Sequence, residues 1–197
     1  FSYDPPVDGI GYYYVVRAVE TGGEESVNSN IFGPVYSISQ DPSSYIVFQD
    51  DFETDKGWIH GENRTQDDWQ RGTPMGNGGA DHGNPDPSSA YSGSNVFAND
   101  LGASGWNGDY QNNVDNYLMT PAGQLDCSGH TNLVLQFQRW LNVEQPAYDQ
   151  AEIYISTNGH SGPWTRIWQN PNEITDNSWV FMEIDISNWA DGESDVA

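Results

Sequence analysis

Acidic side chains at a few fixed positions are the residues of this sequence best suited to chemistry. Asp51 and Glu53 stand two residues apart, so alternation along an extended chain places both on one side. The loops Asp81-His82-Gly83-Asn84-Pro85-Asp86 and Asn99-Asp100 add further carboxylate and amide oxygens. Ca²⁺ takes roughly six to eight such oxygens and neutralises carboxylates that otherwise repel one another. The pattern predicts a structural calcium site, and the alternative is that Asp51 and Glu53 only hydrogen-bond to loop backbone.

The sequence carries no motif of a catalytic or zinc site. The histidines at positions 60, 82, 130 and 160 are scattered, and nothing matches His-Glu-x-x-His, a paired-Cys spacing or Gly-x-Ser-x-Gly. Two carboxylates can serve a glycosidase, but among 29 acidic residues a suitable pair is expected by chance. We therefore predict a non-catalytic chain.

The charge of the chain limits its partners. It has 29 acidic and 6 basic residues and a formal charge of −23 at pH 7. Such a surface repels nucleic acid phosphates and anionic lipid headgroups, and a saline or calcium-rich exterior screens its self-repulsion. No apolar run approaches the ~20 residues that span a membrane. We predict a secreted or cell-surface location, no nucleic-acid partner and no membrane insertion, and we interpret the chain as an excerpt of a longer secreted polypeptide.

Composition divides the chain into three segments. Residues 1–38 contain an aromatic and β-branched run, Gly11 to Val19, a glycine turn and a second run from Val27, which together predict a strand and hairpin. Residues 39–44 form a polar linker. Residues 45–197 show strand patterns throughout and no amphipathic helix of ordinary length, which predicts an all-β sandwich.

Period-two alternation in the longer segment assigns side chains to two faces. The predicted strands are Tyr45–Phe48 leading into residues 50–53, Asn95–Ala98, Asn116–Thr120, Leu133–Trp140, Ala151–Ser156, Trp164–Trp168 and Trp179–Ile186. Turns are predicted at Asn158-Gly159 and Asp176-Asn177. The predicted core consists of Leu133, Leu135, Phe137, Ala151, Ile153, Ile155, Val180, Met182, Ile184 and Ile186. Cys127, the single cysteine, cannot form an internal disulfide and is predicted to be a buried apolar residue.

The opposite face combines aromatic and amide side chains. Candidate ligand-binding residues there are Gln138, Trp140, Tyr154, Trp164 and Trp168. Aromatic rings stack on the apolar faces of sugars, while amides and carboxylates hydrogen-bond to hydroxyls. Two interpretations of this face are therefore open: it binds glycans, or a long loop or the neighbouring domain covers its aromatic residues.

Short signatures in a fixed order over about residues 50 to 190 resemble a known family. They are Asp51-Phe52-Glu53, Gly57-Trp58, Asp68-Trp69, Gly79-Ala80-Asp81-His82, Ser92-Gly93 and Tyr117-Leu118-Met119-Thr120-Pro121. They resemble the MAM-type β-sandwich and its bacterial relatives, the jelly-roll accessory modules of immune-inhibitor-A-like peptidases, choice-of-anchor proteins and cleaved adhesins. Residues 1–38 resemble the last two strands of a fibronectin type III domain.

The resemblance implies a jelly-roll with calcium near its first strand. Asp51, Glu53 and Asp100 are the matching residues, with Asp81 and Asp86 as further candidates. Related modules place an acidic residue before the Ala151 strand, which implies that Asp149 pairs with Arg139.

We interpret the chain as a calcium-stabilised, non-catalytic extracellular module that binds glycans or partner proteins for a larger secreted or surface protein. One alternative is an accessory domain that targets a secreted peptidase. Another is a structural subunit of a surface filament. Related modules continue with further strands, so in this interpretation a strand from a neighbouring subunit completes the sheet at its open edge.

Overall fold

The computed structural model describes six stretches of the chain, residues 11–14, 32–36, 45–64, 66–79, 83–103 and 105–197. The chain divides into two compact units, Phe1–Ile46 and Val47–Ala197. In the first unit, strand β1 (Gly11–Tyr14) pairs antiparallel with β2 (Phe32–Tyr36). The aromatic run therefore contains a strand as predicted, although β2 was not predicted. The predicted glycine turn and the strand from Val27 lie outside the described residues.

The second unit is all-β, as the sequence predicts, with ten strands and one helical turn in its described part. The strands are β3 (Ile59–Glu62), β4 (Trp69–Gly72), β5 (Val96–Asn99), β6 (Asn116–Met119), β7 (Val134–Arg139), β8 (Asn142–Val143), β9 (Glu152–Ile155), β10 (Thr165–Gln169), β11 (Ile174–Thr175) and β12 (Val180–Asp185). Helix α1 (Ser187–Ala190) follows β12. The strands form five antiparallel ribbons, β3 with β6, β4 with β5, β7 with β12, β8 with β11 and β9 with β10.

Alternation along β7 and β12 separates a core face from a solvent face. Met182 lies opposite Phe137 in the ladder, and both residues are partly buried. Phe181, one residue earlier, lies opposite Gln138 and is 57% exposed. Directly opposed residues share a face of an antiparallel pair, so the predicted assignment of faces is confirmed for this ribbon.

A buried cluster near the end of the chain joins several segments. Its buried members are Cys127, Ile155, Ala190 and Val196. Partly buried hydrophobic residues pack around them: Val47, Leu125, Leu133, Ile167, Ile186 and Trp189. Cys127 is 3% exposed, and burial raises the pKa of its thiol, with a further rise from nearby acidic charges. The predicted buried, unreactive character of Cys127 is consistent with this environment.

Residues 45–58 form no strand, so the predicted strand from Tyr45 to Glu53 is wrong. Asp50 Oδ1 accepts a hydrogen bond from the Phe52 amide at 2.9 Å, and Asp51 Oδ1 accepts one from the Glu53 amide at 3.1 Å. Such bonds from an aspartate to the backbone two residues on compete with strand pairing. Phe52 also has a φ of 60°, which an extended strand does not allow. Asp51 and Glu53 therefore lie on an irregular turn.

Candidate functional site

Three aspartates from the two loops that flank β5 form an acidic loop cluster, defined here as Asp86, Asp100 and Asp109. Burial, followed by the charges of Asp109 and Asp100, raises the pKa of Asp86 from 3.8 to about 6. Asp109 is fixed by its Oδ1, which accepts the Gly79 amide hydrogen at 3.0 Å. Two of the five aspartate and glutamate residues predicted as metal ligands, Asp86 and Asp100, thus lie within electrostatic range of each other and of a third carboxylate.

The adjoining ends of β4 and β5 bury two further carboxylate oxygens. Asp68 and Asp100 are 0% and 1% exposed, and the Asp100 amide donates to the Asp68 carbonyl at 2.8 Å. Asp68 Oδ1 accepts from Gln66 at 2.6 Å, and Asp100 Oδ1 accepts from the Gly102 amide at 2.9 Å. The Oδ2 atom of each is buried without a hydrogen-bond partner. A buried polar oxygen without a partner costs free energy, so Asp68 and Asp100 are incompletely satisfied in this structure.

Glu53 is engaged elsewhere. Its Oε1 accepts the amides of Ser94 at 2.7 Å and Asn95 at 2.8 Å, immediately before β5. Asp100 follows the other end of β5, and five residues at about 3.3 Å each separate the two ends by about 16 Å. The structure therefore does not bring Glu53 to Asp100, and it places exposed Asp51 in the same turn as Glu53. Asp81 lies outside the described residues.

The exposed face of the β9–β10 ribbon carries a connected polar and aromatic group. Tyr154, 44% exposed, lies opposite Arg166 and donates its hydroxyl to Glu152 Oε2 at 2.8 Å. Arg166 Nη1 donates to Glu152 Oε1 at 2.6 Å. Trp164, 37% exposed, precedes β10 by one residue and falls on the side of Arg166 by alternation. Two predicted ligand-binding residues, Tyr154 and Trp164, are thus accessible beside charged groups held in place.

The other three predicted ligand-binding residues are less accessible. Trp140 is partly buried against Trp179, with ring centroids 5.7 Å apart. Trp168 is partly buried opposite Ile153, on the core side of its strand. Gln138 is partly buried on the solvent face of β7.

Trp179 connects this region to a loop. Its indole N–H donates to the Ser89 carbonyl at 3.2 Å. Loop cover, the alternative considered for the aromatic face, therefore applies around Trp140.

Arg139 pairs with Asp176, which corrects the predicted pairing with Asp149. Arg139 Nε donates to Asp176 Oδ2 at 2.9 Å and Nη2 to Oδ1 at 3.1 Å, with both side chains largely buried. Asp149 instead accepts the Tyr110 hydroxyl at 2.7 Å. Burial, and then this hydrogen bond, raises the pKa of Tyr110. The residue that meets Arg139 is set by the turn between β11 and β12, which strand patterns alone do not specify.

Zinc-type ligands do not converge in the part of the chain that the structure describes. His60 Nδ1 contacts Asp67 Oδ2 at 2.6 Å, and His160 Nε2 contacts the Thr120 carbonyl at 2.8 Å. Among the described residues, no three His, Cys, Asp or Glu side chains lie close enough to hold a metal ion by themselves. Any cation site within these ranges must therefore also use backbone carbonyls or water.

Sequence reasoning missed Asp68 and Asp109. Asp109 lies in Asn107-Gly108-Asp109, a composition typical of any turn in a glycine-rich loop. The signal in the sequence was the preceding glycine, because glycine allows a positive φ and the close approach of another backbone. The structure shows a φ of 90° at Gly108. Asp68 precedes Trp69 in a polar segment whose strand was not predicted.

Comparisons of the chain with protein-family models, curated proteins and solved structures returned no match. No helix among the described residues is both long and apolar enough to cross a membrane.

Proposed function

We propose that the chain is a non-catalytic extracellular module, folded as a MAM-like jelly-roll and stabilised by calcium, that binds glycans on behalf of a larger secreted or surface protein. Support comes from the order of its sequence signatures, its all-β second unit and its charge of −23. A protein ligand at the same face is the other outcome to be tested.

The observation that carries the proposal is the exposed group on the β9–β10 ribbon. Tyr154, Glu152 and Arg166 are joined by two hydrogen bonds, so their orientations are set before a ligand arrives. Fixed side chains lose less conformational entropy on binding, which favours affinity.

The chemistry of this group suits a neutral or cationic glycan. The rings of Tyr154 and Trp164 offer apolar surface to sugar C–H groups, and the carboxylate and guanidinium groups beside them offer an acceptor and donors for hydroxyls. A strongly anionic glycan is disfavoured because the chain carries a large negative charge.

The test is a screen of the whole chain against an array of immobilised oligosaccharides, in physiological salt with millimolar calcium. Binding is expected in the wild type and is expected to be lost in Tyr154→Ala. Phe181→Ala is the matched control, because Phe181 is also an exposed aromatic residue and lies on a different strand, β12. No binding to any glycan, or equal loss in both variants, contradicts the proposal. A protein ligand captured through Tyr154 without glycan binding redirects it to protein recognition.

A further inference from the structure

The outer face of the β9–β10 ribbon carries two aromatic rings at a defined spacing. Arg166 lies opposite Tyr154 in the ladder, and the same register continued by two residues places Trp164 opposite Ser156. Tyr154 and Trp164 are therefore diagonal neighbours on one face, a relation with a typical separation of about 7–8 Å. Both rings are accessible, at 44% and 37% exposure. A ligand that contacts both rings must span this separation.

A β-bulge limits the outer face to these two rings. The register of the ladder shifts after Arg166, and Trp168 pairs with Ile153. Ile167 is thus an extra residue in β10, and it packs against the buried cluster. The centroid of the Trp168 ring lies 5.9 Å from Cζ of the largely buried Arg139. Trp168 therefore lies on the core side, which leaves two exposed aromatic rings on the outer face of the described ribbon.

Local contacts hold both rings in place. The Tyr154 hydroxyl donates to Glu152 Oε2 at 2.8 Å, and this hydrogen bond raises the pKa of Tyr154, so the hydroxyl stays protonated at neutral pH. A Cβ at Gly162 would lie 3.0 Å from Cδ1 and 3.3 Å from Nε1 of Trp164, and Gly162 has a φ of 67°. The indole therefore lies against the backbone at a position that favours glycine. Rings that are fixed in advance lose little conformational entropy when a ligand binds.

The charged groups beside the rings offset each other. Arg166 Nη1 donates to Glu152 Oε1 at 2.6 Å, and the two side chains are 50% and 20% exposed. The remaining guanidinium N–H groups and carboxylate lone pairs can hydrogen-bond to hydroxyls, but neither charge is left unpaired for a charged ligand. The net charge of −23 further disfavours an anion. This group therefore suits an uncharged ligand rich in hydroxyls.

We propose that this face binds an uncharged, extended glycan across at least two neighbouring sugar units, one on each aromatic ring. The inference rests on the proposed glycan function and narrows the class of ligand. A separation of about 7–8 Å exceeds the width of one pyranose ring, so a single sugar cannot stack on both aromatic rings.

The configuration of the sugar follows from the same geometry. Neighbouring units of an extended chain can stack on one surface only if each unit turns an apolar face towards it. Pyranoses whose hydroxyls are all equatorial meet this condition, because they carry axial C–H groups on both faces. Chains of β-linked glucose, the cello-oligosaccharides, have this configuration and are extended.

The experiment is a calorimetric titration of the whole chain with glucose, cellobiose, cellotriose and cellotetraose, in physiological salt with millimolar calcium. Cellobiose is expected to bind about tenfold more tightly than glucose, because it gains a second ring contact. Little further gain is expected for the longer chains, since the ribbon offers no third ring. Maltose, whose α-linkage bends the chain, is the matched ligand control and is expected to bind no more tightly than glucose.

Three variants locate the second contact. Tyr154→Ala and Trp164→Ala are each expected to bind cellobiose no more tightly than glucose. Phe181→Ala, which changes an exposed aromatic residue on β12, is expected to keep the gain. Circular dichroism shows whether each variant is folded, and the length series on the wild type tests the inference without any variant.

Four outcomes overturn the inference. They are no binding of any cello-oligosaccharide, equal affinity for glucose and cellobiose, an equal gain with maltose, and a gain that persists in Trp164→Ala. The glycan array separates this failure from that of the proposed function. Array glycans that bind through Tyr154 without any affinity for cello-oligosaccharides overturn this inference alone, whereas an array without any bound glycan contradicts both.

Discussion

Replacing Asp86 with asparagine is expected to stabilise the metal-free protein at neutral pH. Burial, and then the charges of Asp109 and Asp100, raise the pKa of Asp86 from 3.8 to about 6. The folded state then binds more protons than the unfolded state between these two values, so the free energy of unfolding falls as the pH rises through this window. The full difference corresponds to at most about 3 kcal/mol at neutral pH, and solvent screening of the partly exposed side chain lowers it.

The assay is urea unfolding of both proteins in excess EDTA from about pH 4 to about pH 7. Asp86→Asn is expected to be more stable than the wild type at neutral pH, by up to about 3 kcal/mol, and the two are expected to converge as the pH falls towards 4. Asp51→Asn is the matched control, because Asp51 is exposed and its backbone-capping role is kept by asparagine. A variant less stable than the wild type at neutral pH, or a difference that does not change with pH, would refute the reasoning.

Three further substitutions test individual contacts by urea unfolding. Arg139→Met is expected to lower the free energy of unfolding by about 3–5 kcal/mol, because it leaves the largely buried Asp176 unpaired. The same change at the exposed Arg166 is expected to lower it little. Equal losses of stability at both sites would contradict the assignment. Asn170→Ala is expected to lower the free energy of unfolding by about 2–4 kcal/mol. The fully buried Asn170 amide donates to three backbone carbonyls and accepts one backbone N–H. A loss near zero would show that water replaces the side chain. Glu53→Ala is expected to cost about 1 kcal/mol through loss of its two backbone contacts, and unchanged stability would count against them.

The long strands were predictable because burial and alternation agree along them. The predicted bounds of β7, β9 and β12 each differ from the observed ones by a single residue at either end. Their apolar and β-branched residues recur at every second position, which is the signal that strand prediction uses. The segments of β3 and β4 are polar and contain glycine, and β8 and β11 have two residues each, so they give no comparable signal.

Residues 45–58 show why local hydrogen bonds override an apolar sequence pattern. Residues 45–48 are of strand-forming types. The side chains of Asp50 and Asp51, which follow, accept hydrogen bonds from backbone amides two residues further on, and the chain turns there. Trp58 completes this turn, since its indole N–H donates to Asp50 Oδ2 at 2.7 Å. The contact between Trp58 and Asp50 joins residues eight positions apart, and no periodic pattern in the sequence predicts it.

The acidic loop cluster was predictable only in part. Asp86 and Asp100 were identified by residue type. Asp109 is brought near them by the backbone contact between Gly78 and Gly108, two residues thirty positions apart in the sequence. The predicted group of Asp51, Glu53 and Asp100 had Asp51 and Glu53 on one side of an extended first strand. The observed turn places Glu53 at the opposite end of β5 from Asp100.

The most direct test of this account is a crystal structure of the chain grown in calcium chloride, with anomalous difference density used to locate calcium. We expect at least one peak at about 2.3–2.6 Å from oxygen atoms of the second unit. Ordered loops throughout the second unit with no calcium peak would contradict it.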